Sequence, residues 1–305
     1  MSQSILYPPA VQPGDAVALV SPSGPVAADK IEAAALELEA WGLRPRIFHH
    51  AFDRHAFYAG HDEDRAADLN QAFSDPEIRA VICNRGGYGL QRILERLDFT
   101  RVRHDPKRLI GFSDVTALHA ALYTQAGIAS FHGPVANQLD RGGVFTASTR
   151  QALMSDQPMQ VAARDDQPTY GVRRAGVAEG ILLGGNLSLL STLVGTPWMP
   201  DFTDAILLIE DVGEASYRVD RLLTHLRNVG VLQRLAGVAV GQFSEPGAGG
   251  SIKPAEVLQE RLGDLGIPVL GGLPIGHDAL NHAIALGLPA TLDANAGVLT
   301  VFRGH

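Results

Sequence analysis

The first half of the chain alternates short apolar runs with segments whose apolar residues recur at helical spacing. The apolar runs predict strands, and the helically spaced segments, such as the one containing Ile31, Ala34 and Leu38, predict helices. Predicted strands cover residues 15–21, 43–48, 79–83, 108–112 and 128–131, and predicted helices cover residues 26–41, 62–73, 90–97 and 114–125. This alternation predicts an α/β fold with a parallel sheet covered on both faces. Ligand sites of such sheets lie at the carboxyl ends of the strands.

The pattern weakens over residues 151–176, where Asp156-Gln-Pro and Tyr170-Gly are typical of turns. We therefore predict a first domain over residues 1–150, a linker over 151–176 and a second domain over 177–305. In the second domain, strands are predicted at residues 179–183, 205–209 and 238–240, helices at 187–194, 217–228 and 254–262, and a strand-rich end at 284–302.

Composition and charge narrow the classes of protein. The 305 residues are 46% hydrophobic and 19% charged, which is typical of a globular protein and excludes general disorder. The net charge is −8 without a basic cluster, so neither nucleic acid nor a membrane surface is an expected partner. We see no secretory leader and no run of ~18 apolar residues, which predicts a cytoplasmic protein. The single cysteine, Cys83, excludes an intramolecular disulfide and lies in a predicted buried strand.

The segment Leu109-Ile-Gly-Phe-Ser113-Asp places a serine where an apolar strand turns into a helix. Such a turn exposes the hydroxyl at a helix N-terminus, and the backbone N–H of Asp114 could then stabilise an oxyanion. A helix N-cap is the alternative interpretation of Ser113, and this segment taken alone favours it. In addition, Val115 stands where the Gly-x-Ser-x-Gly elbow has its last glycine.

A glycine-rich segment, Asn84-Arg-Gly-Gly-Tyr-Gly89, directly follows a predicted strand. It matches neither Gly-x-Gly-x-x-Gly nor the Walker A motif. Two adjacent glycines would let a backbone N–H approach a reacting oxygen, whereas the alternative is a plain glycine turn.

Two carboxylates, Glu210 and Asp211, end the apolar run 205–209. Such a carboxylate can cap the next turn or orient a histidine, and Asp211 with Glu214 could alternatively hold a cation. No third ligand stands at metal-like spacing, so we predict no metal and no cofactor. His277 lies in a Gly-Pro turn, where a surface histidine is the alternative interpretation.

Ser113, Glu210 and His277 follow one another in the order nucleophile, acid, histidine, which α/β-hydrolases also use. A serine nucleophile needs a base to take its proton, and the base needs a carboxylate to hold its tautomer. The set predicts a serine hydrolase. The competing hypothesis is a non-catalytic module that binds a nucleotide or sugar, in which Glu210 and His277 have no role.

Five motifs in order resemble the LD-carboxypeptidase family of serine peptidases: Asn84-Arg-Gly-Gly-Tyr-Gly, Gly111-Phe-Ser-Asp, Gly184-Gly-Asn-Leu, Leu208-Ile-Glu-Asp and Pro274-Ile-Gly-His. The resemblance implies a catalytic triad of Ser113, His277 and Glu210, and an oxyanion hole made by the backbone N–H groups of Asp114 and Gly87. It implies an N-terminal Rossmann-like parallel-sheet domain carrying the serine. It also implies a smaller C-terminal strand-rich α/β domain carrying the glutamate and histidine, an active site between the domains, and a homodimer.

The family includes two activities. Muramoyltetrapeptide carboxypeptidases remove the terminal D-Ala from the murein tetrapeptide L-Ala-D-Glu-meso-diaminopimelyl-D-Ala in cytoplasmic peptidoglycan recycling, and this is the expected activity. The alternative is microcin C self-immunity, in which peptidyl- or aminoacyl-nucleotide amides are hydrolysed. That activity would require an aromatic face for the nucleobase, such as Trp198 or Tyr217, although both also suit a core or an interface. The residues expected to contact substrate are Arg85, Tyr88, Asp211 and Tyr217.

Overall fold

The structure is a computed structural model that describes residues 5–244 and 252–303. The chain divides into two compact units, Met1–Asp156 and Gln157–His305, which we call the N-terminal and C-terminal units. Each unit combines a sheet with helices, so the predicted two-domain α/β fold is confirmed. No helix within the described ranges is long and apolar enough to span a membrane.

The N-terminal unit contains a parallel sheet with the strand order β2-β1-β3-β4-β5. Its strands are β1 (Ala16–Val20), β2 (Arg44–Ile47), β3 (Ile78–Cys83), β4 (Arg108–Gly111) and β5 (Ser130–His132). Its helices are α1 (Ala28–Ala40), α2 (Asp62–Ser74), α3 (Phe99–His104), α4 (Thr116–Ala121) and α5 (Val144–Met154).

This strand order is the doubly wound order of flavodoxin-like folds, in which the direction of winding reverses between β1 and β3. Every residue of β1 and β4 is buried, as expected for a parallel sheet covered on both faces. Ligands of such folds bind beyond the carboxyl ends of the strands at the reversal point. The loops after β1 and β3 meet there, because the Gly24 N–H donates to the Gly86 carbonyl at 3.0 Å.

Two predicted helices differ from the structure. Residues 90–97 form two 3₁₀ turns, Leu90–Arg92 and Leu94–Arg96, because apolar residues three apart share a face in either kind of helix. Residues 114–125 divide into a 3₁₀ turn at Ser113–Val115, then α4, then a π turn at Leu122–Ala126. A further 3₁₀ helix covers Ala136–Arg141.

The C-terminal unit is built on a mixed sheet with the order β6-β14-β13-β8-β9-β10-β11-β7. Strands β8 to β11 pair in parallel, and the outer pairs are antiparallel. The strands of the unit are β6 (Met159–Ala162), β7 (Arg173–Arg174), β8 (Val177–Asn186), β9 (Ile206–Val212), β10 (Gly237–Ser244), β11 (Val269–Leu270), β12 (Ile284–Leu286), β13 (Pro289–Asp293) and β14 (Val298–Val301). The helices are α6 (Leu187–Leu193), α7 (Ser216–Asn228) and α8 (Pro254–Gly263), with a 3₁₀ turn at Leu232–Arg234.

The segment predicted as a linker, residues 151–176, is not free of regular structure. It contains the end of α5 and the strands β6 and β7, and the division between units falls at Asp156. Strand β6 alternates buried and exposed residues and pairs with β14, more than 130 residues later in the chain. A strand of four residues whose partner is so distant leaves little local signal among turn residues.

Candidate active site

Ser113 begins the turn that follows β4, where the sequence predicts a strand-to-helix elbow. Its φ is +65°, in the left-handed region that L-residues other than glycine rarely adopt. Such strain persists where the surroundings enforce it, and a strained nucleophile is typical of hydrolase elbows. The N-cap of the 3₁₀ turn is Phe112, and Ser113 is the first residue inside the turn, so Ser113 does not occupy the N-cap position.

The strand end before Ser113 is held from several sides. The Gly111 carbonyl accepts hydrogen bonds from the Gly133 N–H at 3.0 Å and from His119 Nε2 at 2.9 Å. Burial lowers the pKa of His119 to about 3, so its imidazole is neutral and can donate from Nε2. A Cβ on Gly111 would lie 3.0 Å from both Val115 methyl carbons. Val115 therefore fills the space beside this glycine.

The glycine-rich loop after β3 contacts the candidate nucleophile directly. A Cβ on Gly86 would lie 2.7 Å from Ser113 Cβ and 3.0 Å from Ser113 Oγ, so only glycine leaves room for the serine. Gly87 has a φ of +115°, which also favours glycine. The loop therefore provides a close backbone approach, as expected for a donor loop. The oxyanion-hole role of the Gly87 and Asp114 N–H groups stays a prediction.

The Asp114 side chain links the elbow to this loop, a role that sequence reasoning missed. It is 1% exposed and accepts the Leu90 N–H at 2.9 Å. Burial raises the pKa of the Asp114 carboxyl. Ser23 and the hydrogen bond from the Leu90 N–H stabilise the charged form and offset part of this rise. The only sequence signal was an acidic residue in the first turn of a helix, which is common and unspecific.

Glu210 and His277 are brought together in the C-terminal unit. Glu210 lies in β9, and its side chain is completely buried. His277 Nδ1 lies 2.7 Å from Glu210 Oε2. A carboxylate on Nδ1 fixes the imidazole tautomer and leaves Nε2 to accept a proton. This is the arrangement that a histidine base requires.

Two glycines make room for this pair. A Cβ on Gly276 would lie 2.6 Å from Glu210 Oε2, and a Cβ on Gly241 would lie 3.1 Å from Glu210 Cβ. The Gly276 N–H donates to the buried Asn281 side chain at 2.9 Å, and the His277 carbonyl accepts from the Ser244 hydroxyl. The turn is thus held on both sides of the histidine.

Comparison with known proteins identifies the family. Residues 17–133 match the LD-carboxypeptidase N-terminal domain, and residues 179–292 match the LD-carboxypeptidase C-terminal domain. The murein tetrapeptide carboxypeptidase of Pseudomonas aeruginosa is 34% identical over 92% of this chain and 93% of that protein. The chain belongs to the LD-carboxypeptidase family. It is therefore a hydrolase, a carboxypeptidase of the serine peptidase type.

Two further comparisons support this membership. The crystal structure of a muramoyltetrapeptide carboxypeptidase from Oxalobacter formigenes superposes with a TM-score of 0.84 at 30% identity, covering 94% of this chain and 98% of that one. The microcin C7 self-immunity protein MccF of Escherichia coli is 28% identical and covers 78% of each chain.

The residues expected to contact substrate in this LD-carboxypeptidase have different surroundings. Tyr88 and Tyr217 are exposed by 51% and 56%, and Arg85 is exposed while donating to the Pro25 carbonyl at 2.8 Å. Arg221 lies over the Tyr217 ring, 5.4 Å from its centroid. Trp198, the other candidate aromatic face, is half-buried.

Asp211, by contrast, is 3% exposed and engaged with its own unit. Its two oxygens accept from the Asn186 amide at 2.9 Å and from the Ser188 N–H and hydroxyl at 2.9 and 2.8 Å. Burial is the main cause that raises the pKa of the Asp211 carboxyl, and the negative charge of the neighbouring Glu210 raises it further. These contacts give Asp211 the role of anchoring the start of α6.

One group of side chains in the described ranges has the composition of a metal site. It consists of His50, Asp53 and Asp64, none of which is a predicted site residue of this LD-carboxypeptidase. His50 Nδ1 lies 2.8 Å from Asp53 Oδ2, and this hydrogen bond is the main reason that the pKa of His50 is raised. The contact is a hydrogen bond that becomes an ion pair when His50 is protonated.

Replacing Gly86 by alanine should lower kcat by about a hundredfold, the lower end of the loss seen when an oxyanion-hole donor is removed. The added methyl would press against Ser113 and displace the loop. Gly171 is the matched control, because a Cβ there meets nothing within 4 Å. Steady-state kinetics of G86A and G171A check this, and equal activity of the two variants would contradict it.

Proposed function

We propose that the protein is a serine LD-carboxypeptidase that releases the terminal D-Ala from murein tetrapeptides in cytoplasmic peptidoglycan recycling. The observation that carries the proposal is the contact between the buried Glu210 carboxylate and His277 Nδ1 at 2.7 Å. The strained Ser113, in contact with a glycine loop, supports it. So does similarity to the murein tetrapeptide carboxypeptidase of Pseudomonas aeruginosa.

In the proposed mechanism, Ser113 Oγ attacks the carbonyl carbon of the peptide bond that precedes D-Ala. His277 Nε2 takes the serine proton and then delivers it to the departing D-Ala amine. The backbone N–H groups of Gly87 and Asp114 stabilise the oxyanion of the tetrahedral intermediate. Water, deprotonated by His277, then hydrolyses the acyl-serine and regenerates the enzyme. Glu210 holds the imidazole tautomer throughout.

The test is to incubate the purified protein with free L-Ala-D-Glu-meso-diaminopimelyl-D-Ala and to follow the products by mass spectrometry. We expect a tripeptide and D-Ala, with undiminished rate in the presence of EDTA because the mechanism uses no metal. A serine-directed acylating probe should add its mass to Ser113. Absence of both D-Ala release and labelling would favour the non-catalytic binding module.

Hydrolysis of peptidyl- or aminoacyl-nucleotide amides is the second candidate, supported by the similarity to MccF. The exposed Tyr217 in α7 offers an aromatic face for a nucleobase. The two activities are distinguished by presenting both substrates to the same preparation. Cleavage of the nucleotide amide with the tetrapeptide left intact would replace our first proposal by the second.

We also propose that the enzyme acts as a homodimer in the cytoplasm, on the family resemblance of the motifs around Ser113 and His277. Sedimentation equilibrium should give twice the chain mass of 32.4 kDa. Fractionation of cells should recover the protein with cytoplasmic markers.

A further inference from the structure

Three aromatic side chains form a partly exposed cluster in the N-terminal unit, which we call the aromatic cluster: Phe57, Tyr58 and Tyr88. Ring centroids are 4.5 Å apart for Phe57 and Tyr58, 5.6 Å for Tyr58 and Tyr88, and 5.9 Å for Phe57 and Tyr88. Phe57 is exposed by 62% and Tyr88 by 51%. Contiguous exposed apolar surface of this kind is typical of binding sites.

Backbone hydrogen bonds and two guanidinium groups hold the part of the aromatic cluster around Tyr58 in place. His55 and Tyr58 exchange backbone hydrogen bonds of 3.0 and 2.9 Å, which close a tight turn. Within that turn Ala56 has a φ of +51°, and strain of this kind concentrates at functional sites. The guanidinium groups of Arg65 and Arg92 lie over the Tyr58 ring, 5.1 and 5.3 Å from its centroid. A ligand would therefore meet a surface that is already ordered.

A polar cavity of about 320 Å³ adjoins the aromatic cluster and shares Tyr58 with it. The size suits a small ligand group. Its walls offer both donors and acceptors of hydrogen bonds, from the side chains of His55, His61, Asp62, Glu63 and Arg92. Asp62 is fixed there by Arg92 Nη2 at 2.7 Å. An aromatic face beside planar polar groups suits a sugar ring, whose C–H face is apolar and whose hydroxyls both donate and accept.

The aromatic cluster is continuous with the candidate active site along one loop. Tyr88 follows Gly87 directly, and Gly86 is the glycine that leaves room for Ser113. Two residues of chain cover at most about 7 Å, and the three residues that precede the scissile bond of a tetrapeptide cover at most about 11 Å. A group attached to the amino end of a tetrapeptide would thus reach the aromatic cluster.

We propose that the aromatic cluster and the adjoining cavity are a subsite for the amino sugar of a murein peptide that is still attached to its N-acetylmuramyl residue. The inference rests on the proposed function, because it takes the scissile bond to lie at Ser113. In this inference, Phe57, Tyr58 and Tyr88 determine the preference of the enzyme for sugar-bearing over free tetrapeptides. Phe57 is the ring whose loss disturbs the least of the surrounding structure, since it is the most exposed of the three.

The test compares kcat/KM for free tetrapeptide and N-acetylmuramyl tetrapeptide in the wild type and in F57A, F57Y and F52A. Phe52 is the matched control, an aromatic residue that is 47% exposed and lies outside the aromatic cluster. We expect F57A to lower kcat/KM for the muramyl substrate about tenfold through KM, which corresponds to about 1.4 kcal/mol. The value for the free tetrapeptide should stay within about twofold. F57Y, which keeps the ring, and F52A should resemble the wild type.

Equal effects of F57A on the two substrates, or no effect on either, would overturn the inference. So would a change in sedimentation of F57A without a change in selectivity, because the aromatic cluster would then be an interface between copies. If the wild type cleaves neither substrate, the proposed function fails. Calorimetric titration with N-acetylmuramic acid then tests the inference independently of catalysis. The inference requires that the wild type and F52A bind the sugar and that F57A does not.

Discussion

Replacing Ser113 by alanine should abolish release of D-Ala and leave the fold intact. Loss of a triad serine costs roughly 10⁶-fold in kcat in other hydrolases, because no other group forms the acyl intermediate. Alanine retains the Cβ of serine, so the Cβ still packs against Gly86. The backbone at position 113 can also keep its left-handed conformation, at a cost similar to that for serine. The measurement is single-turnover mass spectrometry together with a thermal melt.

The matched control for S113A is Ser74→Ala, at an exposed serine that ends α2. S74A should keep wild-type activity and also the acylation of Ser113 by the serine-directed probe, whereas S113A should lose both. If S113A keeps more than about a tenth of wild-type kcat, far above the ~10³–10⁴-fold over water that binding and an oxyanion hole supply alone, Ser113 is not the nucleophile.

A second large loss of kcat is expected when Glu210 or His277 in the C-terminal unit is replaced. Glu210→Gln keeps the shape of a completely buried side chain but removes the charge that orients His277. In another hydrolase the same kind of change lowers kcat by about 10⁴-fold. His277→Ala should be at least as severe, because it removes the base itself. Both kcat values and the thermal unfolding of each variant should be measured.

His225, an exposed histidine in α7, provides the control, and H225A should behave like the wild type. The wild-type rate should also fall at acid pH, because a protonated His277 cannot accept the serine proton. If H277A retained wild-type activity, or if E210Q changed only KM, the base and its orienting carboxylate would have to be sought elsewhere in the chain.

Local patterns in the sequence predicted much of the N-terminal unit. The apolar runs and helical spacings gave β1, α1 and α2 to within about three residues, because their signals are local and periodic. The sequence also placed Ser113 just after a strand, whereas Glu210, predicted to follow a strand that ends at residue 209, lies inside β9. The contact of Glu210 with His277 joins residues 67 apart. The order of the motifs along the chain and the family resemblance paired them, whereas no local pattern did.

Other features depend on contacts that leave no local signal. Strand β6 exists because β14 pairs with it, and the turn-rich segment around it predicted a linker. The aromatic cluster joins Phe57 to Tyr88, and Phe57 follows the strained Ala56, a residue with no sequence signature for a positive φ. The role of the Asp114 carboxylate likewise depends on its hydrogen bond with the Leu90 N–H, and its neighbours in the chain give no sign of that contact.

The single cysteine gives a way to follow the sheet of the N-terminal unit by itself. Cys83 ends β3, is completely buried, and its thiol pKa is raised by burial. A disulfide reagent can modify it only when the sheet opens, so the labelling rate in native buffer measures the free energy of that opening. Because every other thiol is absent from the chain, one reagent and one mass shift give the local stability beneath the proposed nucleophile. The ratio of the labelling rates with and without bound peptide would then give the amount by which peptide binding raises the free energy of opening of that sheet.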